Sequence, residues 1–138
     1  EEVEPVHPTI SLNSLRSTKS LKINSSFFMS KMNKKRFSNP LPWINSVIST
    51  LPDENALSEL ELSFDLGLTK SVLQQVSWAE LSATLCSEKF KRLENVVFTF
   101  PTSITGPSEE RLFWVRDILH QNDHLCPLLI GGLIQLVI

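Results

Sequence analysis

Along this 138-residue chain the spacing of apolar positions switches repeatedly between two residues and about 3.6. Leu57-Ser58-Glu59-Leu60-Glu61-Leu62-Ser63-Phe64 alternates at Leu60, Leu62 and Phe64, which predicts a strand near 57–64 with one buried face. Leu93-Glu94-Asn95-Val96-Val97-Phe98-Thr99-Phe100 is rich in β-branched and aromatic residues and is halted by Pro101, which predicts a strand near 93–100. Leu21-Lys22-Ile23 predicts a shorter one near 20–24, and Leu133 to Ile138 a last one near 133–138. Between them the period lengthens. Trp43, Ile44, Val47, Ile48 and Leu51 form one apolar helix face near 43–51, with Pro42 ahead of it and Pro52 stopping it. Val72, Val76, Ala79, Leu81, Ala83 and Leu85 predict a helix near 70–88, broken near Ser77-Trp78. Ser108-Glu109-Glu110-Arg111 begins a third near 108–121, with a capping residue followed by acids in the first turn. Its apolar face is Leu112, Val115, Ile118 and Leu119, and it fails around Asn122.

The strands share a phrase. Leu57, Leu60, Leu62, Phe64 superpose on Leu93, Val96, Phe98, Phe100; Leu133, Leu136 and Ile138 begin the same pattern, and Leu21 and Ile23 supply the central pair of an earlier copy. From Leu21 to Leu60, Leu60 to Val96 and Val96 to Leu136 the steps are 39, 36 and 40 residues. Trp43, Trp78 and Trp114 run in step, 35 and 36 residues apart, at what read as comparable helical positions. Two registers in agreement predict a β-loop-α repeat. Such a unit cannot bury its strand face and its helix stripe alone, so neighbouring units stack. The expected architecture is therefore α/β: an irregular, leucine-rich-repeat-like solenoid fragment with parallel strands on one side and helices on the other. Residues 1–13 read as a linker or the end of a preceding element, and 14–138 as about three and a half repeats. HEAT and armadillo repeats match the period, but they are all-helical. A fragment of a doubly wound α/β enzyme, with its site elsewhere, is the alternative; helices on both sheet faces would distinguish it.

Trp78-Ala79-Glu80-Leu81 followed by Phe90-Lys91-Arg92-Leu93-Glu94-Asn95-Val96 resembles the repeat region of fungal, mushroom-type F-box and leucine-rich-repeat-like proteins. The resemblance covers roughly residues 14–138, and its motifs are degenerate. It implies a partner-binding repeat region in an F-box type ubiquitin-ligase adaptor. Leu41-Pro42 mimics the opening of an F-box, but the helix near 43–51 accounts better for that segment.

Composition narrows the function. Thirteen basic against fifteen acidic residues exclude a strongly basic nucleic-acid binder. Cys86 and Cys126 are too sparse for a secreted disulfide scaffold and read as reduced, buried thiols. The longest apolar run, Leu125 to Ile138, has 14 residues with Pro127 and Gln135 inside it, short of a membrane span, and reads as a buried strand. With an acidic N-terminus unlike a targeting peptide, the chain is expected to be intracellular, in cytoplasm or nucleus. The missing initiator Met and the apolar last residues suggest a piece of a longer protein.

Candidate chemistry is thin. Asp117, His120 and His124 would share a helical face if the helix lasted, but H-E-x-x-H fails at Gln121, Asn122-Asp123 tends to end the helix, and a solvated helix end accounts for them better than a metal site. Lys31, Lys34, Lys35 and Arg36, near Phe27, Phe28 and Phe37, could hold an anion or a nucleic-acid backbone, or form a solvated loop beside core aromatics. Gly131-Gly132 reads as a tight turn into the last strand. No nucleophile elbow, dinucleotide fingerprint or P-loop is present. The expectation is a non-catalytic protein-binding module without cofactor, metal, membrane or nucleic-acid partner. The outward strand residues Glu59, Glu61, Ser63, Asn95, Val97 and Thr99 would meet the partner protein.

Overall fold

The computed structural model describes residues 2–3, 10–29, 37–67, 70–100 and 109–137. In chain order the elements are β1 (Glu2–Val3), β2 (Ser20–Met29), β3 (Phe37–Ser38), α1 (Leu41–Ser49), β4 (Glu59–Gly67), α2 (Lys70–Leu73), α3 (Ala79–Leu85), a 3₁₀ turn (Glu88–Phe90), β5 (Asn95–Thr99), α4 (Glu109–Gln121), α5 (Cys126–Ile130) and β6 (Ile134–Val137). The described strands form one sheet in the order β1-β3-β2-β4-β5-β6. β2, β4, β5 and β6 run parallel, each beside the next in sequence, while β3 lies antiparallel to β2 and β1 parallel to β3. The sheet is open, not a closed barrel.

Alternation decides which face is buried. Leu21, Leu60, Val96 and Ile134 stand in one row, and Ile23, Leu62, Phe98 and Leu136 in the next. These residues belong to, or pack against, the core that holds Ile44 and Ile48 of α1, Leu81 and Leu85 of α3, and Val115, Ile118 and Leu119 of α4. The helices therefore cover this face. At its centre Phe64 meets Phe27, Phe98 and Phe100 with ring centroids 5.5, 5.4 and 5.7 Å away, and Trp78 packs over Phe98 at 5.7 Å. Offset and edge-on contacts of this kind each stabilise by about 1 kcal/mol beyond area burial.

The strand starts are tied by a repeated backbone motif. The Lys19 carbonyl accepts from the Ser58 and Glu59 N–H groups at 2.9 and 3.0 Å, and the Ser58 carbonyl accepts from those of Glu94 and Asn95 at 2.9 and 3.1 Å. Side chains add lateral links. Asn45 Nδ2 of α1 donates to Glu80 Oε1 of α3 at 3.0 Å, and Ser82 Oγ of α3 donates to the His124 carbonyl at 3.0 Å.

Several expectations change. β2 runs to Met29, because Phe27 continues its buried row and is fully inaccessible. Helix α1 begins at Leu41, whose N–H donates to Asn39 Oδ1 at 3.0 Å, so Pro42 sits inside the first turn. The helix near 70–88 becomes α2, α3 and a 3₁₀ turn. The break falls where Trp78 leaves the helix to fill the aromatic core, with no solvent exposure. The three tryptophans are thus not equivalent: Trp43 and Trp114 lie within helices, half-buried. The run Leu125 to Ile138 is no single buried strand. Its first part is helix α5, with Pro127 in the opening turn, and Ile130 is 78% exposed. Gly132 then turns the chain into β6 at φ +84°, a conformation glycine adopts without steric cost. Opposite Val96 stands Ile134, so the last step is 38 residues and not the expected 40. The two-residue shift leaves the buried face unchanged.

Candidate functional site

The second face of the parallel sheet receives no described helix. Its alternate residues stand in rows fixed by the strand register. Glu59 pairs with Asn95; Lys22, Glu61, Val97 and Gln135 form a second row; Asn24, Ser63, Thr99 and Val137 form a third. All six residues singled out from the sequence are brought together on this face of β4 and β5. Their exposure differs. Glu59 is exposed, and Glu61, Asn95, Val97 and Thr99 are half-buried. Ser63 is only 9% accessible, because it lies between Asn24 and Thr99 in the middle of its row. It is therefore a poor contact residue, contrary to expectation.

The polar groups of the face are unevenly satisfied. Lys22 Nζ lies 2.9 Å from Glu61 Oε2. Ser25 Oγ, which comes from the buried row of β2, donates to the Ser63 carbonyl at 3.3 Å. Glu59 and Asp65 have no ion-pair or hydrogen-bond partner among the described residues, and Asn95 Oδ1 is buried without a donor. Sequence reasoning missed the β2 contribution (Lys22, Asn24) and Asp65. The polar Ser25 interrupts the apolar row that would have extended β2, and Asp65 lies past the Phe64 at which the strand was expected to end.

The other candidates fall elsewhere. A cleft of about 340 Å³ at the N-terminal ends of β4 and β5 is lined by Asp53, Glu54, Asn55, Lys89, Lys91 and Arg92. Asn55, 3% exposed, organises it: Nδ2 donates to the Pro52 and Lys89 carbonyls at 2.8 and 3.0 Å, and Oδ1 accepts from the Leu57 N–H at 3.1 Å. Lys89 Nζ donates to the Ser49 carbonyl at 2.5 Å and lies 3.7 Å from Asp53. Asn55 and Lys89 are thus engaged in tying the Pro52–Leu57 loop to the turn before β5, and the cleft reads as a structural joint.

Asp117 accepts from Gln121 Nε2 at 3.1 Å, and His124 lies in the turn after α4 has ended, off the face of His120. Among the described residues, no group of three His, Cys, Asp or Glu is placed to hold a metal ion. Lys31, Lys34, Lys35 and Arg36 lie outside the described residues. Both thiols are free but neither is buried: Cys86 caps the end of α3 in solvent and Cys126 is half-buried. No described helix is long and apolar enough to cross a membrane.

Compared with protein-family models, curated proteins and solved structures, the chain shows no match.

Proposed function

We propose that this chain is a non-catalytic protein-interaction module: a leucine-rich-repeat-like solenoid segment whose helix-free sheet face binds another protein. One observation carries the reading. A parallel sheet buries one face under helices, and among the described residues no helix covers the other, whose side chains are set in regular rows. Parallel sheets in doubly wound enzymes carry helices on both faces, so the lack of a described helix on this face weighs against that alternative. The lateral hydrogen bonds add support. Those from Asn45, Asn55, Ser58, Ser82 and Lys89 span 34 to 42 residues, one strand-to-strand step, as expected where each unit touches only its neighbours.

The functional residues in this reading are Glu59, Glu61, Asn95, Val97 and Thr99, with Ser63 as the floor between them. The family resemblance extends the proposal to the substrate-recognition part of an F-box type ubiquitin-ligase adaptor, acting inside the cell. The test places a photo-crosslinking residue at Val97 and, separately, at exposed Ala83 on the helix side. A protein captured from Val97 and then purified should lose affinity for the Glu59→Ala, Glu61→Ala, Asn95→Ala triple variant. Capture from Ala83 alone, or unchanged affinity of the variant, would refute the reading.

A further inference from the structure

The proposed interaction face has a charge pattern that selects its occupant. Resting on that reading, we propose that the face docks an extended polypeptide segment carrying two basic side chains six residues apart.

The argument begins with what is unspent. Lys22 is the cation of the described face, and Glu61 holds it. The free carboxylates are Glu59 and Asp65, both exposed, on the same side of β4. Neither has a partner among the described residues. Asn95 Oδ1, opposite Glu59 in the register, also lacks a donor but is itself buried, so the two carboxylates are the acceptors an occupant can reach. The face is therefore in excess of acceptors and of negative charge, and its complement is rich in donors and positive.

Spacing makes this specific. At about 3.3 Å per residue, the six steps of β4 from Glu59 to Asp65 separate the two carboxylates by about 20 Å. An extended segment has the same rise and a side-chain period of two, so its residues i and i+6 point to one side and match that distance. Residues i and i+3 point to opposite sides and cannot both engage. Both edges of β4 are already hydrogen-bonded, to β2 and to β5, so the segment lies over the face and binds through side chains. Between the carboxylates it crosses the Lys22–Glu61 pair, with half-buried Val97 beside it as an apolar contact.

Fluorescein-labelled peptides of about eleven residues provide the probe, built from Thr, Ser and Val with two Lys placed six apart or three apart. Net charge and composition are identical, so general attraction cancels. Anisotropy titration at low salt should show the six-spaced peptide binding about fivefold tighter, as a second exposed ion pair engages. Glu59→Gln or Asp65→Asn should each bring the two affinities within about twofold of one another, and added salt should shrink the preference. Equal affinities for the two spacings in the unmodified protein, or a preference that survives both substitutions, would overturn the proposal. Amide shift mapping separates the levels of failure. Shifts confined to the helix side would overturn the interaction face as well. Shifts on β4 and β5 without spacing preference, or with a Glu-containing peptide bound more tightly, would overturn only the basic chemistry of the occupant.

Discussion

Asn55 offers the sharpest test of how the loop before β4 is joined to the turn before β5. Its side chain makes three hydrogen bonds, two within its own loop and one to the Lys89 carbonyl 34 residues on. Asn55→Ala leaves the Leu57 N–H without an acceptor, and Leu57 has no solvent exposure at all. A buried group stranded in this way costs about 1–3 kcal/mol. The Pro52 and Lys89 carbonyls belong to half-buried residues and can rehydrate from the adjacent cleft, so they contribute less. The expected total is about 2–4 kcal/mol, a large part of the roughly 5–15 kcal/mol that holds a domain together. In a chain of this size that corresponds to a fall in Tm of about 8–16 °C. Urea unfolding followed by tryptophan fluorescence measures it. Asn55→Asp sharpens the test. It keeps the acceptor for Leu57 but turns the donor into an anion facing two carbonyl oxygens, so at neutral pH it should cost at least as much. A loss below about 1 kcal/mol for Asn55→Ala, or a milder effect of Asn55→Asp, would refute the account of the joint.

Four further outcomes are expected. Phe64→Ala empties the centre of the aromatic cluster and should cost about 3–5 kcal/mol in the same urea assay, with loss of the near-ultraviolet circular dichroism of the buried rings. The Lys22–Glu61 pair is exposed at 57% and 37%, so a double-mutant cycle should return below about 1 kcal/mol, falling with salt. Gly132→Ala forces a side chain onto φ +84° and should cost about 1–2 kcal/mol, while nearby Ile130→Ser, at 78% exposure, should stay within about 0.5 kcal/mol. Hydrogen exchange should be slowest in β4, which is paired on both edges, and faster in β6, which among the described residues is paired on one edge, to β5.

Much of the parallel sheet is legible in the chain because a period of two with one buried face is a strong constraint. Leu21, Leu60 and Val96 align in the sequence phrase as they align in the register. The last copy is ambiguous for a physical reason. Leu133, Leu136 and Ile138 satisfy the phrase as well as Ile134 and Leu136 do, and both choices bury the same face. Backbone geometry breaks the tie: the Val96 N–H donates to the Leu133 carbonyl at 2.8 Å and sets Ile134 opposite Val96. Helix α5 is hidden because five residues are too few for a 3.6-residue period to register inside a continuous apolar run. Trp78 looks like a helix-face residue, since a tryptophan just before a helix and one within it have the same spacing to the next strand. Of the candidate face, the β4 and β5 residues were legible through alternation. The unsatisfied acceptor on Asn95 and the spent charge of Lys22 depend on side-chain placement across strands, which spacing alone does not carry.

The register also explains how the proposed interaction face can vary while the core stays generic. Successive steps of 39, 36 and 38 residues differ in length, yet the rows stay aligned. The variation is absorbed in the loops and helices between strands, where an inserted residue changes no pairing. Within a strand a single insertion would exchange the two faces and bury Glu61 in place of Leu62. Strand length is thus held by the core, and loop length is free. The core demands only that Leu21, Leu60, Val96 and Ile134 be apolar. It places no demand on the row beside them, where Lys22, Glu61, Val97 and Gln135 differ in charge, size and polarity. Residues that packing leaves unconstrained, held in fixed rows by residues that packing constrains tightly, can change their chemistry without risk to the fold. That separation is the physical ground for proposing recognition on this face, while the other carries stability.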